Sequence, residues 1–152
     1  MGLDVAQKTL ILARELGFDA DLSKIPTEHL VPQNLLTKAL SQPHDTAFLA
    51  ALQECNEPFS QRIAKAKQSQ QVLRYVGIVD TIQKSIFVGV RGYAASHPFA
   101  TLNGGDNAVA FHTQRYNERP LVVQGSGSTP DSVASGIFAE ILRLTRYLGS
   151  MG

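Results

Sequence analysis

The sequence lacks several features that would define its surroundings. Its one cysteine, Cys55, cannot form a disulfide within the chain, which fits a reducing compartment. The formal net charge of +1 gives no reason to expect a nucleic acid, an anionic membrane or a strongly acidic substrate as a partner. No apolar run approaches the roughly 20 residues that span a bilayer, and no basic N-terminal region precedes an apolar stretch as in a signal peptide. These absences predict a soluble, cytoplasmic protein.

The histidines and the cysteine do not indicate a metal site or a nucleophile. None of the close pairing of a helical metal site is found among the four histidines, which are His29, His44, His97 and His112. Cys55 lies near the end of a predicted helix and is interpreted as a small packing residue. We therefore predict that the chain binds no metal.

What is present is the composition of an ordinary folded domain. The 152 residues are 43% hydrophobic and 18% charged, which is enough to bury a single core. Since no internal repeat or low-complexity linker divides the sequence, residues 1–152 are predicted to form one domain. Only Met1 and Gly2 precede the first predicted helix. This abrupt start predicts that the chain is a piece of a larger protein.

Hydrophobic periodicity predicts helices at both ends of the chain. Residues 18–43 contain Pro26, Pro32 and Pro43 and predict a packed loop with a single helical turn. Helices are predicted at 45–55, 57–69 and 130–148. The segment 3–16 predicts an amphipathic helix, in which one broad arc carries the apolar side chains Leu3, Val5, Ala6, Leu10, Leu12, Ala13 and Leu16.

Between the helices the sequence is typical of β-strands. The runs 72–80 and 85–93 are rich in β-branched and aromatic residues and are joined by a short polar connection, which predicts an antiparallel hairpin. A loop is predicted at 97–107 and a third strand at 108–116. The run 120–124 is apolar on both faces, as a central strand would be. The predicted fold class is α+β, with a mixed, mostly antiparallel sheet covered by helices on one face.

The segment 121–144 predicts a buried strand, a glycine-rich turn and a helix. Gly125 and Gly127 let a ligand approach the main chain, and the N–H groups at the positive end of the helix favour an anion. Thr129 is a predicted N-cap. The pattern is incomplete, because a Rossmann fingerprint needs a third glycine where Pro130 stands. The alternative is a tight turn that needs only a flexible backbone.

The charged residues on the predicted helices have a structural and a functional interpretation. Asp4 and Lys8 stand one turn apart, and such a pair is most often a solvated bridge worth about 0.3–0.5 kcal/mol. In the functional alternative, Lys8 lies beside a carbonyl oxygen and donates a proton or stabilises negative charge, while a carboxylate orients a substrate ammonium or a water. Spacing alone favours the bridge. Arg62, Lys65 and Lys67 are likewise interpreted as a solvated helix face.

Four segments, taken in order, resemble homoserine dehydrogenase. The segment 2–16 (GLDVAQKTLILAREL) is similar to the GLDVARK helix of that family. The likeness continues through QRIAKAKQSQQVLRYVG, HPFATLNGGDNAVAFHT and PLVVQGSGSTPDSVASGIFAEILRL, and so spans nearly the whole chain. The segments 64–77 and 110–116 are most similar to the version fused behind an aspartate kinase.

The resemblance implies an NAD(P)-linked oxidoreductase that interconverts L-aspartate 4-semialdehyde and L-homoserine, on the route to threonine, methionine and isoleucine. It implies that Lys8 transfers a proton to or from the reacting oxygen and that Asp4 belongs to the homoserine site. It also implies that Gly125 and Gly127 approach the NADP or NAD cofactor. The family's catalytic region is built around a β-sheet that forms the dimer contact, so we expect a homodimer.

Three departures from the family pattern bear on these expectations. Gln7 stands where the family usually has arginine, which predicts a tolerated surface change. The turn 126–132 (SGSTPDS) differs from the usual alanine- and glycine-rich version, which weakens the expected cofactor contact at Gly127. The family's NAD(P)-binding domain precedes the first helix and is not in this sequence, so we expect no bound cofactor and no activity from the chain alone. The alternative is a non-enzymatic module that binds a small molecule or self-associates.

Overall fold

A computed structural model describes residues 2–31, 52–53, 55–127 and 129–149. The chain divides into two compact units, Met1–Ala100 and Thr101–Gly152. Three α-helices and four β-strands are found in the described residues: α1 (Leu3–Glu15), α2 (Asn56–Gln68), β1 (Gln71–Asp80), β2 (Ser85–Ala94), β3 (Asp106–Phe111), β4 (Leu121–Ser126) and α3 (Pro130–Gly149). In this part of the chain, no helix has the length and the apolar content that crossing a bilayer requires.

Glycines stand at both ends of α1, which confirms the first predicted helix. Gly2 precedes it with φ 76°, in the left-handed region that glycine enters without steric cost. At the other end, Gly17 has φ 82° and the N–H of Phe18 donates to the carbonyl of Ala13 at 3.0 Å. This is the hydrogen-bond pattern of a glycine-terminated helix. The predicted stop at Gly17 is therefore confirmed.

The buried face of α1 is narrower than the predicted apolar arc. It consists of Ala6, Thr9, Leu10 and Ala13. Leu3, Leu12 and Leu16, which belonged to the predicted arc, are exposed. Thr9 can be buried because its hydroxyl donates to the carbonyl of Val5 at 2.7 Å, so that no polar group is left without a partner.

The predicted hairpin of β1 and β2 is confirmed as an antiparallel pair with Gln71 opposite Ala94. The face that carries Val88, which is fully buried, packs against α1 and forms the core with Ala6, Leu10 and Ile25. A Cβ at Gly77 of β1 would overlap the side chain of Thr9. Glycine at 77 therefore permits the close contact between helix and sheet.

The segment 22–27 contributes a single turn and an isolated β-bridge to this unit. A 3₁₀ turn at Leu22–Lys24 confirms the predicted single turn, and Thr27 then forms a parallel bridge with Val88 of β2. The helix predicted at 57–69 is confirmed as α2, with Ala66 buried. The helix predicted at 45–55 lies almost entirely outside the described residues.

The second unit contains β3, β4 and α3. Strands β3 and β4 are antiparallel, with Asp106 opposite Ser126. Strand β3 ends at Phe111, five residues before the predicted end at Tyr116. The reason is local, because the side chain of Thr113 accepts the N–H of Tyr116 at 3.1 Å and closes a turn there.

In the described residues the strands pair as β1–β2 and as β3–β4, and the single mixed sheet that we predicted is not found there. In the described residues β4 pairs with β3 alone, so the prediction of a central strand is wrong here, and Leu121 and Val123 are 46% and 58% exposed. The α+β class with antiparallel strands is confirmed. Alternation and β-branched content indicate that a run is extended, but they do not specify its neighbour.

Candidate active site

Asp4 and Lys8 form an ion pair on α1. The distance between the Asp4 Oδ2 and the Lys8 Nζ is 2.9 Å, and the two side chains are 75% and 59% exposed. At four residues apart they lie on one face of the helix, opposite the face that packs on the sheet. The structure thus brings the two predicted catalytic residues together on the solvent side of the first unit.

The outward face of α1 also carries an apolar side chain. Ile11 is 61% exposed and follows Lys8 by three residues, so the two side chains are neighbours on the helix surface. Glu15 continues the same face by one more turn. The face therefore offers an ammonium, carboxylates and a hydrocarbon surface side by side.

The first turn of α1 rests on Tyr75 of β1. A Cβ at Gly2 would overlap the Tyr75 hydroxyl and would lie 3.1 Å from the methyl group of Thr27. The Tyr75 hydroxyl donates to the main-chain carbonyl of Glu28 at 2.6 Å. Burial raises the pKa of Tyr75, and the negative charge of Glu28 raises it further. The phenol therefore keeps its proton and remains a donor.

Sequence reasoning missed Glu28, which joins three segments of the first unit. Its carboxylate accepts a hydrogen bond from Arg62 of α2 and another from the N–H of Val90 at 3.0 Å. The bond from Arg62 holds the pKa of Glu28 below its ordinary value, and the same bond raises the pKa of Arg62. The prediction that Arg62 is a solvated face residue is wrong, because its guanidinium is bonded to Glu28. The two residues are 34 positions apart, so local sequence patterns do not reveal the pair.

Gly125 and Gly127, the predicted cofactor contacts, differ in their surroundings. Gly125 belongs to β4, opposite Asn107, and no described atom lies within 4 Å of the place its Cβ would take. Gly127 donates its N–H to the carbonyl of Gly105 at 2.7 Å, and a Cβ there would lie 2.5 Å from that oxygen. The described structure thus leaves space on the Cβ side of Gly125, whereas the N–H of Gly127 is already bonded.

The start of α3 is closed by its own side chains. The N–H of Ser132 donates to the Thr129 hydroxyl at 3.2 Å, and the N–H of Thr129 donates to the Ser132 hydroxyl at 3.0 Å. This reciprocal pair is a capping box and confirms Thr129 as the N-cap. Because Pro130 has no N–H and Asp131 brings a negative charge, this helix end is less suited to an anion than the sequence pattern predicted.

The two predicted pairs of site residues lie in different units. Asp4 and Lys8 belong to Met1–Ala100, and Gly125 and Gly127 belong to Thr101–Gly152. An open groove of about 580 Å³ in the second unit contains neither pair and is lined by Phe111, Thr113, Gln114, Arg115, Tyr116 and Leu121. In the part of the chain that the structure describes, no group of three or more His, Cys, Asp or Glu residues could hold a metal ion.

Residues 1–142 match the sequence profile described as homoserine dehydrogenase. The chain belongs to the homoserine dehydrogenase family. It is 44% identical over 149 residues to the chloroplastic bifunctional aspartokinase/homoserine dehydrogenase 1 of Arabidopsis thaliana, covering 98% of this chain and 16% of that protein. It is 33% identical over 148 residues to the homoserine dehydrogenase of Saccharomyces cerevisiae, covering 97% of this chain and 40% of the yeast protein.

A solved structure has the same fold as the chain. A crystal structure from Candida auris, titled as a protein of unknown function, superposes with a TM-score of 0.83 at 36% identity, over 95% of this chain and 39% of that one. The chain thus spans 16% of the Arabidopsis relative and 40% of the yeast relative. The homoserine dehydrogenase resemblance predicted from the segments is confirmed, and both Asp4 and Lys8 lie within the matched range.

Proposed function

We propose that the chain is the C-terminal catalytic and dimerisation portion of a homoserine dehydrogenase. The complete enzyme interconverts L-aspartate 4-semialdehyde and L-homoserine with NADP or NAD, in the biosynthesis of threonine, methionine and isoleucine. The observation that supports this is the Asp4–Lys8 ion pair of 2.9 Å on the solvent side of an anchored helix, within a range that matches the family. A separate NAD(P)-binding domain holds most of the cofactor.

In the proposed reaction the residues of α1 transfer the proton and bind the substrate. The nicotinamide, when bound, supplies or accepts the hydride. In the direction of reduction, the Lys8 ammonium donates a hydrogen bond and then a proton to the aldehyde oxygen as negative charge develops there. The Asp4 carboxylate orients Lys8 and binds the substrate ammonium. The space on the Cβ side of Gly125 fits the approach of a flat ring, and the bonded N–H of Gly127 does not fit a direct contact.

The face of the β1–β2 sheet opposite α1 is the proposed dimer contact. Tyr75 and Gly77 contact α1, so the alternating neighbours Val76 and Ile78 lie on the other face. Ile78 is 37% exposed there. The proposed location is the cytoplasm, although the plant relatives are named chloroplastic.

Replacing Lys8 tests the proposal. In the complete enzyme, Lys8→Ala should lower kcat by about 100-fold or more, the size of a lost general acid, with little change in Tm. Lys24→Ala is the matched control, because Lys24 also pairs with a neighbouring carboxylate, Asp21, at 3.3 Å on an exposed turn. Normal turnover by Lys8→Ala would show that the assignment is wrong.

The purified 152-residue chain tests the rest of the proposal. We expect it to be dimeric and to reduce no NADP with homoserine as substrate, because the proposal places the cofactor's main binding domain outside it. Size-exclusion chromatography and an assay of homoserine binding accompany the activity measurement. Measurable reduction of NADP would contradict the expected inactivity. A dimer that shows no homoserine binding would favour the non-enzymatic module.

A further inference from the structure

The ring end of Tyr75 lies against the residue that begins α1. Gly2 has φ 76°, and a Cβ there would overlap the Tyr75 hydroxyl and lie 2.9 Å from its Cζ. The carbonyl of Gly2 accepts the N–H of Ala6 at 2.9 Å, so Gly2 closes the helical turn that carries Asp4. The position of the Tyr75 hydroxyl therefore limits where the first turn of α1 can lie.

The first turn of α1 has no side-chain cap. Gly2 offers no side-chain hydrogen bond as an N-cap, and helix ends without such a bond fray easily. In this turn Val5 packs against the edge of the core, and the fully buried face begins at Ala6. Asp4 is 75% exposed, so its position depends on the packing of Val5 and on what holds Gly2.

The Tyr75 hydroxyl is itself fixed by Glu28. It donates to the main-chain carbonyl of Glu28 at 2.6 Å. The main chain at this point is hydrogen-bonded to β2. The N–H of Glu28 donates to the carbonyl of Val88 at 2.8 Å, and the N–H of Val88 donates to the carbonyl of Pro26 at 2.9 Å. The Glu28 carboxylate then accepts the N–H of Val90 at 3.0 Å. The segment is thus held to the edge of β2 at three consecutive points.

Arg62 connects α2 to the same point. Its guanidinium donates to the second oxygen of the Glu28 carboxylate, and the two side chains are 38% and 31% exposed. A bond between two charged groups is stronger and more directional than one between neutral groups. Arg91 of β2, which is also cationic, acts on the same carboxylate. Glu28 is therefore held in its ionised form.

We infer that Tyr75, Glu28 and Arg62 are positioning residues of the proposed active site: they fix the first turn of α1, and with it the direction in which Asp4 and Lys8 leave the helix. The three residues come from β1, from the segment beside β2 and from α2, so they connect α1 to these three elements. The effect on turnover rests on the proposed function. The effect on α1 rests on these contacts alone.

Tyr75→Phe tests the inference because it keeps the ring and removes only the hydroxyl. In the complete enzyme we expect kcat to fall about tenfold, as small misplacements of catalytic groups do, while the KM for the cofactor stays unchanged. In the NMR spectrum of the full chain, the amide signals of Asp4 and Lys8 should shift and those of α3 should not. Tyr116→Phe, which removes a hydroxyl from the second unit, is the matched control.

Two further comparisons separate positioning from general stability. Arg62→Lys keeps the charge and should retain most of the kcat that Arg62→Met loses.

Gly2→Ala adds a Cβ that meets the Tyr75 hydroxyl. Its effect on the Asp4 and Lys8 signals should therefore be smaller when Tyr75→Phe is also present than when Tyr75 is intact.

The two readouts distinguish the failure of this inference from the failure of the proposed function. Unchanged Asp4 and Lys8 signals in a folded Tyr75→Phe chain would overturn the inference, whatever the activity. Shifted signals with an unchanged kcat would also overturn it if Lys8→Ala abolishes turnover. Normal turnover by Lys8→Ala would overturn the proposed function alone, since the NMR signals would still decide whether Tyr75 positions α1.

Discussion

Helices α1 and α3 have similar amphipathic sequences but different surroundings. Helix α1 buries one face against the β1–β2 sheet, with Ala13 fully buried and Leu10 8% exposed. In α3, the side chains of the corresponding apolar stripe are 48–59% exposed in the described structure, namely Val133, Ile137, Ile141 and Leu144. Periodicity shows that a helix has a face to bury, but it does not show what covers that face.

The same contrast holds for the residues proposed to act in the reaction. Asp4 and Lys8 stand on a helix that is anchored within its own unit, so their mutual geometry is set by contacts of this chain. Gly125 and Gly127 precede a helix that has its own cap and whose apolar stripe is exposed in the described residues. The proton-transfer half of the proposed site is therefore better defined by the chain than the cofactor half.

The largest expected effect on the free energy of unfolding comes from truncating a buried side chain of α1, and the same truncation in α3 tests the contrast between the two helices. Leu10→Ala should lower the free energy of unfolding by about 2–5 kcal/mol, because it leaves a cavity in a core that contains Val88. Ile137→Ala, at an exposed position of α3, should change it by about 0.5 kcal/mol or less. Urea unfolding of the full chain measures both. Equal losses for the two variants would show that the stripe of α3 is covered in solution.

The next effect concerns two glycines of the second unit. Gly127→Ala places a Cβ 2.5 Å from the carbonyl oxygen of Gly105, so we expect a loss of about 1–3 kcal/mol as the two main chains separate. Gly136→Ala, in the middle of α3 with no described atom within 4 Å of the new Cβ, should stabilise the chain by about 0.5–1 kcal/mol. Thermal unfolding of the two variants gives the comparison. A harmless Gly127→Ala would contradict the close contact with Gly105.

The sequence predicted what depends on neighbouring residues and missed what depends on distant ones. The bounds of α1, the β1–β2 hairpin and the Thr129 cap follow from local spacing, and so does the Asp4–Lys8 pair. The bond between Glu28 and Arg62 joins residues 34 positions apart, and no periodicity encodes it.

Distant pairing also explains the errors in the second unit. The two-sheet arrangement depends on which strands meet, and the alternation of β4 carries no information on its partner. The Gly127–Gly105 contact likewise depends on the return of the chain after the β3–β4 connection. The interpretation of Gly127 as a ligand contact came from a local pattern that could not include Gly105, and it stays a prediction.

The smallest expected effect concerns Glu28, which holds the segment that contacts Tyr75 beneath α1. The pKa of Glu28 is lowered in the folded chain, chiefly by the bond from Arg62. A lowered carboxyl pKa stabilises the folded state above the ordinary value of 4.5, and this contribution is lost as the pH falls through the folded pKa. Glu28→Gln should therefore cost about 1 kcal/mol or less at pH 7, since both side chains are partly solvated.

The cost of Glu28→Gln should shrink as the pH falls through the folded pKa of Glu28, because the carboxyl group of the unaltered chain is then protonated and no longer paired as an ion with Arg62. Urea unfolding at pH 7 and at a pH below that folded pKa measures the difference. Glu140→Gln is the matched control, since Glu140 pairs with Arg143 at 2.8 Å on the exposed surface of α3. Solvent screens that pair, so its loss should have little effect at either pH. A pH-independent cost for Glu28→Gln would mean that the hydrogen bond to Val90, which an amide oxygen can also accept, holds the segment without the charge.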